Sequence, residues 1–147
     1  MARKKPEVKV ICEGKFPEYA HATDSGCDLS YCGDRMVTLQ PGERAVLPTG
    51  LKIELPSGYE AQIRPRSGLA AKYGITVVNT PGTVDTSYQG EIKIILINHG
   101  KEKFSIKNGD RIAQMVVSPV VQAKFQVVDT FEEETERGEN GFGSTGV

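Results

Sequence analysis

The sequence predicts an all-β fold: a single-domain sandwich or jelly roll with one short helix and a flexible, glycine-rich C-terminal arm. Three observations carry that prediction. Several short segments alternate apolar and polar residues with the period of two that half-buried strands require. Sixteen glycines and eight prolines fall at intervals through 147 residues, so they punctuate many short elements rather than form one low-complexity block. No helical periodicity is sustained for ten residues or more.

In chain order, Pro41 and Gly42 form a turn. Residues 51–55 (LKIEL) alternate and end at Pro56, Ser57 and Gly58, after which residues 59–63 (YEAQI) alternate again. Residues 67–74 (SGLAAKYG) predict one helical turn, with Ser67 as N-cap and Gly74 as the stop. The segment 75–79 (ITVVN), a turn at Pro81 and Gly82, and a return into 91–98 (EIKIILIN) predict a hairpin. After Lys93 the returning strand is apolar on both faces, which predicts a central strand covered on both sides. Turns follow at 98–100 and 108–110. In 121–127 (VQAKFQV), Val121, Ala123, Phe125 and Val127 face one way, the pattern of another strand. Beyond Asp129 the chain turns acidic and then glycine-rich, the composition of a segment disordered on its own.

Composition excludes several classes. The chain has room for one core but not two. Eighteen basic residues against nineteen acidic ones give a net charge of −1, with 25% of residues charged. That balance argues against a polybasic binder of nucleic acid or of a membrane surface. The longest apolar run, residues 94–97, is far short of the roughly 20 residues of a spanning helix. The basic opening MARKKP lacks a following apolar stretch, so a secretory signal is not expected and a cytoplasmic location is. Three cysteines (Cys12, Cys27, Cys32) are an odd number with no CxxC pair, which predicts buried or idle thiols rather than a disulfide scaffold or a zinc site.

Candidate chemistry gathers at a few places. Two guanidiniums in RPR (64–66) precede the predicted helix; a solvated turn and a phosphate seat built on Arg66 both fit. The run GFGSTG (141–146) matches a dinucleotide-binding pattern falsely, because no helix follows it. A frayed tail fits, and so does a loop that wraps a polyphosphate with backbone N–H groups, the hydroxyls of Ser144 and Thr145, and Arg137. A Ser–His–Asp or Cys–His set is poorly supported: only His21 and His99 exist, and His99 sits in an Asn-His-Gly turn. Acid–base chemistry then falls to a carboxylate, with Asp28 and Asp85 in turn-like contexts as candidates beside ordinary turn roles.

At this point five segments carry a resemblance. ATDSGCDL (22–29), RPRSGLA (64–70), NTPGTVDTSYQGE (79–91), NGDRIAQMV (108–116) and RGENGFGSTG (137–146) resemble, in order and spacing, the five motifs of the trimeric dUTP diphosphatase family. The resemblance implies a distorted jelly roll over residues 1–136 and a lid over residues 137–147. It implies Mg²⁺-dependent hydrolysis of dUTP to dUMP and pyrophosphate, removing dUTP from the nucleotide pool and supplying dUMP for thymidylate synthesis. Asp85 then deprotonates the water that attacks the α-phosphorus, and Asp28 holds the magnesium ion through its waters. Arg66, Ser67 and Gly68 grip the α/β bridge, and Gln114 contacts phosphate. Uracil is read by the 79–90 segment, with Asn79, Thr83 and Val84. Tyr88 lies beneath the deoxyribose and excludes a 2′-hydroxyl, and Lys93 stands near the same site. Phe142 stacks on uracil while Arg137, Gly143, Ser144 and Thr145 close over the phosphates. A homotrimer with shared sites is implied, with no nucleic acid or membrane partner.

Two positions depart from the family pattern: Ser87, where many members carry a second acidic residue, and Asn140, where glycine is usual. Two other readings compete. A dCTP deaminase shares this fold but needs a proton-shuttling glutamate near cytosine C4, and GTVDTSY is the hydrolase form. A nucleotide-dependent regulator that binds a repressor would need an added element, and the segment between Gln114 and Arg137 offers no extra domain.

Overall fold

A computed structural model describes residues 4–146; the first three residues of the basic opening and Val147, the last residue of the expected lid, lie outside them. Ten strands and one helix follow in order: β1 (Lys9–Cys12), β2 (Cys27–Ser30), β3 (Val37–Leu39), β4 (Arg44–Glu54), β5 (Tyr59–Arg64), α1 (Ser67–Tyr73), β6 (Ile75–Val77), β7 (Gly82–Val84), β8 (Glu91–Asn98), β9 (Phe104–Ile106) and β10 (Arg111–Pro119). One sheet runs β1-β4-β8-β6, a second β2-β10-β5-β7, and β3 pairs with β9. All pairings are antiparallel. The two four-stranded sheets enclose one core in which Leu29, Leu51, Ile75, Ile94, Leu96, Ile106 and Ile112 are almost fully buried. Burying each such side chain contributes roughly 1.5–3 kcal/mol. The predicted sandwich is the observed one.

Local differences from the sequence reading have physical causes. β4 extends well before residue 51, because a bulge between Pro48 and Leu51 hides its alternation. The bulge tolerates Pro48 inside a strand, and Gly50 takes φ +67° there. Thr49 is buried and donates its hydroxyl to Ile92 O at 2.6 Å. β8 is central, but only one face is covered. Lys93 is exposed, Ile95 and Ile97 are half-buried, and Val46, paired with Ile95, is 60% exposed. A two-sheet sandwich has one interior, so the outer face of β8 finds no cover within its own chain.

The expected hairpin also divides. β6 does pair with β8, Val77 opposite Leu96. The segment between them, entered through a cis Thr80-Pro81 bond, crosses to the second sheet as β7 and pairs with β5. Residues 121–127 form no strand. Every residue from 120 to 146 is exposed, and their hydrogen bonds, apart from Val120 N to Gly58 O, stay within the segment. The alternation there is real, but the chain offers no neighbouring strand to pair with it.

Candidate active site

Adjacent strands of the second sheet bring the first group together. Gln114 on β10 lies in register with Asp28 on β2 and with Arg64 on β5. Arg66, two residues beyond β5, donates Nε to Asp28 Oδ1 at 3.1 Å, and its Nη1 donates to Arg111 O at 3.4 Å. Arg111 Nη1 stands 3.6 Å from Asp28 Oδ2, so two guanidiniums flank one half-buried carboxylate. Gln114 donates Nε2 to Pro65 O at 2.9 Å. Gly26 is the residue that lets it lie there: a Cβ at 26 would collide with Gln114 Oε1. Neither Arg111 nor Gly26 was singled out from the sequence, though both lie inside segments quoted above.

Ser67 and Gly68 begin α1 beside this cluster, both exposed. Ser67 is the first helical residue rather than the N-cap. Arg66 occupies the cap in an extended conformation (φ −89°, ψ 129°) with no side-chain cap bond. The Arg66 side chain turns to Asp28, and Gly74 ends the helix in the left-handed conformation, as expected.

The second group lines a cleft of about 340 Å³ between β7 and β8. Asn79, Thr83, Val84, Tyr88 and Lys93 converge there, with Gly82, Ile63, Val77, Ile92 and Ile95 as its apolar floor and walls. The apolar residues carried no sequence signal beyond strand periodicity. Tyr88 is half-exposed, and its phenol donates to Glu91 O at 2.8 Å. The cleft mixes apolar walls with converging polar groups, the usual character of a small-ligand site.

Asp85 is elsewhere. It follows β7 directly, is exposed, and accepts a hydrogen bond at its carbonyl from Tyr88 N at 3.1 Å. Its neighbours around a second hollow are Ser57, Tyr59, Glu60, Thr86, Ser87 and Gln122. Val84 pairs with Ala61 and Asp28 shares a row with Arg64. Asp85 and Asp28 are thus four residues apart along the sheet and three strands apart across it. At roughly 3.3 Å per residue and 4.8 Å per strand, their Cα atoms are about 20 Å apart. One chain therefore does not bring Asp85 to Asp28, Arg66 and Gln114.

The arm joins neither group. Arg137 donates Nε to Asn140 O at 3.0 Å, Phe142 is fully exposed, and Gly143, Ser144 and Thr145 are exposed. Among the described residues, no cluster of three His, Cys, Asp or Glu side chains is arranged to hold a metal ion. All three cysteines are free thiols. No helix among the described residues is long and apolar enough to cross a membrane.

The comparisons with known proteins agree with one another. The dUTPase family model matches residues 13–146. The deoxyuridine 5′-triphosphate nucleotidohydrolase of Ehrlichia canis (strain Jake) is 56% identical over 133 residues, covering 90% of this chain and 87% of that protein. The Chlamydia pneumoniae enzyme of the same name is 53% identical over 142 residues, covering 94% and 98%. Among solved structures, the Staphylococcus bacteriophage 80alpha dUTPase with dUPNHPP superposes with a TM-score of 0.86 at 29% identity, covering 99% of this chain and 100% of that one. A mutant dUTPase from phage phi11 of S. aureus, described with a structural Mg(II) ion, gives a TM-score of 0.76 at 25% identity over 88% and 100%. With its β-sandwich, the cleft at Tyr88 and a family match across nearly its whole length, this chain belongs to the dUTPase family.

Proposed function

We propose that this enzyme hydrolyses dUTP to dUMP and pyrophosphate in sites that take residues from more than one copy of the chain. The observation that carries the reading of the nucleoside site is the convergence of Asn79, Thr83, Val84, Tyr88 and Lys93 on one cleft. Backbone groups of the 79–84 segment, with Asn79, read the uracil edge; Tyr88 forms the wall against the sugar. A ribose 2′-hydroxyl meets that wall, and a cytosine edge leaves buried polar groups unpaired.

Asp85 is the general base. It accepts a proton from the attacking water, whose oxygen forms a bond to the α-phosphorus while the bond to the β-phosphate bridge breaks and pyrophosphate leaves. For this, the carboxylate must reach the attacking water and the guanidinium the α/β bridge of the same triphosphate, each at hydrogen-bond range. The separation of about 20 Å within one chain supports a neighbouring copy as the source of the phosphate cluster. The exposed apolar alternation at 121–127 supports assembly with further copies of the chain. Arg137, Phe142, Gly143, Ser144 and Thr145 then close over the nucleotide as a lid and exclude bulk water.

Magnesium fits the donor set only in one way. With no three-residue cluster and with Arg66 and Arg111 beside Asp28, a direct all-protein cage is absent among the described residues. A Mg²⁺ ion held mainly by substrate phosphates and waters requires only one nearby carboxylate, and Asp28 is the residue that would hold it, through water. When bound, the ion supplies neutralisation of the triphosphate charge. Arg66, Ser67, Gly68 and Gln114 hold the phosphates in line. The three free thiols support a cytoplasmic location, where thiols are kept reduced.

The test is pyrophosphate release from dUTP, with dTTP, dCTP and UTP as controls, in wild type and Asp85→Asn. Turnover of dUTP alone, lowered by at least roughly 10²-fold in the variant, agrees with the reading. Near-normal turnover in Asp85→Asn overturns the role of the base.

A further inference from the structure

We propose that Gly90 is a positioning residue for sugar discrimination, holding the Tyr88 ring in its place by having no side chain. The proposal rests on the reading of Tyr88 as the wall of the nucleoside cleft. The Tyr88 ring folds forward along its own chain and lies across residue 90. A Cβ built on Gly90 would stand 2.5 Å from Tyr88 Oη, 2.7 Å from Cζ and 3.0 Å from Cε2. All three of its nearest neighbours belong to that ring, and none is backbone.

The backbone does not ask for glycine here. Gly90 is not among the residues with positive φ, so any L-residue can adopt its conformation. Contact with the ring is the constraint that remains. The ring is latched beyond Gly90 by the phenol, which donates to Glu91 O at 2.8 Å. Glu91 begins β8 and pairs with Lys52 of β4, so the acceptor is fixed in the sheet. Tyr88, Gly90 and Glu91 thus form one device: a ring whose phenolic end lies against a bare backbone and is tied to a rigid strand. Because Tyr88 is half-exposed, a methyl group at 90 displaces the ring outward rather than disrupting the core. The phenol then loses Glu91 O, and the wall becomes mobile.

The experiment measures kcat and KM for dUTP and UTP in wild type, Gly90→Ala, Tyr88→Ala and the double variant, with melting temperatures for each. Gly90→Ala is expected to lower the dUTP-to-UTP ratio of kcat/KM by about 10-fold, chiefly through KM. Tyr88→Ala lowers it at least as far, and adding Gly90→Ala to Tyr88→Ala changes it no further, since the two act as a unit. If Gly90→Ala lowers the melting temperature, Tyr88→Ala restores it by removing the ring. A wild-type ratio in Gly90→Ala, a further loss in the double variant, or a melting defect that Tyr88→Ala leaves in place overturns the proposal. A wild-type ratio in Tyr88→Ala overturns the sugar wall itself and Gly90's part with it. Relaxation in Tyr88→Ala alone leaves the wall standing and removes Gly90.

Discussion

Mixing two inactive variants exposes the reach of a single chain. Asp85→Asn removes the proposed base, and Arg66→Ala removes the guanidinium bound to Asp28, at the opposite corner of the sheet and about 20 Å away. Each variant alone repeats its own defect at every site. In the proposed trimers, assembled at random from equal amounts, a site that draws Asp85 from one copy and Arg66 from another finds each intact half the time. About a quarter of sites are then complete. The two proteins are denatured together and renatured, and pyrophosphate release is measured, with mixed trimers verified by the mass of a tagged copy. About a quarter of wild-type activity is expected, against parents each reduced by at least about 10²-fold. Unequal mixtures give less, since the product of the two fractions peaks at equality. Activity that stays at the parental level while mixed trimers are present refutes the inference from distance, because both residues would then act from one chain.

Other outcomes follow from the same geometry. Truncation before Arg137 leaves the core intact, so the melting temperature is retained while turnover of dUTP falls steeply; full activity in that variant removes the lid. Asn98 is fully buried, donates Nδ2 to Leu39 O and Glu102 O, and accepts from Gly100 N. Asn98→Asp loses both donors and is expected to lower unfolding free energy in urea by about 3 kcal/mol. Burial pushes the Cys27 thiol above its ordinary pKa, so less thiolate is present at mildly alkaline pH than on an unshifted cysteine. Alkylation followed by mass spectrometry should reach the half-buried Cys12 and Cys32 first and Cys27 only on unfolding.

Much of this fold is legible because strand periodicity survives wherever one face meets the core. Residues 51–55 and 59–63 read directly as strand. Legibility fails where topology decides. Nothing local in GTV (82–84) says that it pairs with β5 rather than turning back to β8. The register of β4 is concealed by a bulge whose buried Thr49 looks like any polar residue in sequence. For the site, motif spacing singled out the polar and aromatic members of the cleft, Asn79, Thr83, Tyr88 and Lys93, with Val84, and the Asp28, Arg66 and Gln114 members of the cluster around β2, β5 and β10. Arg111 escaped because its guanidinium joins Asp28 through strand pairing, a relation that linear spacing does not express. The separation of Asp85 from that cluster is a property of strand order that local spacing does not express; only the family resemblance, with its shared sites, implies it.

The bare arm has a consequence for the life of a newly made chain. Val121, Phe125, Val127 and Phe131 face water, the first three more than 90% exposed. An exposed apolar strip of this kind is prone to stick to itself. Lys124 interrupts it and the acidic run at 132–134 borders it, and charges placed this way repel stacked copies of a like segment. Replacing Lys124 and those glutamates with neutral residues therefore endangers yield during synthesis, before any nucleotide is encountered.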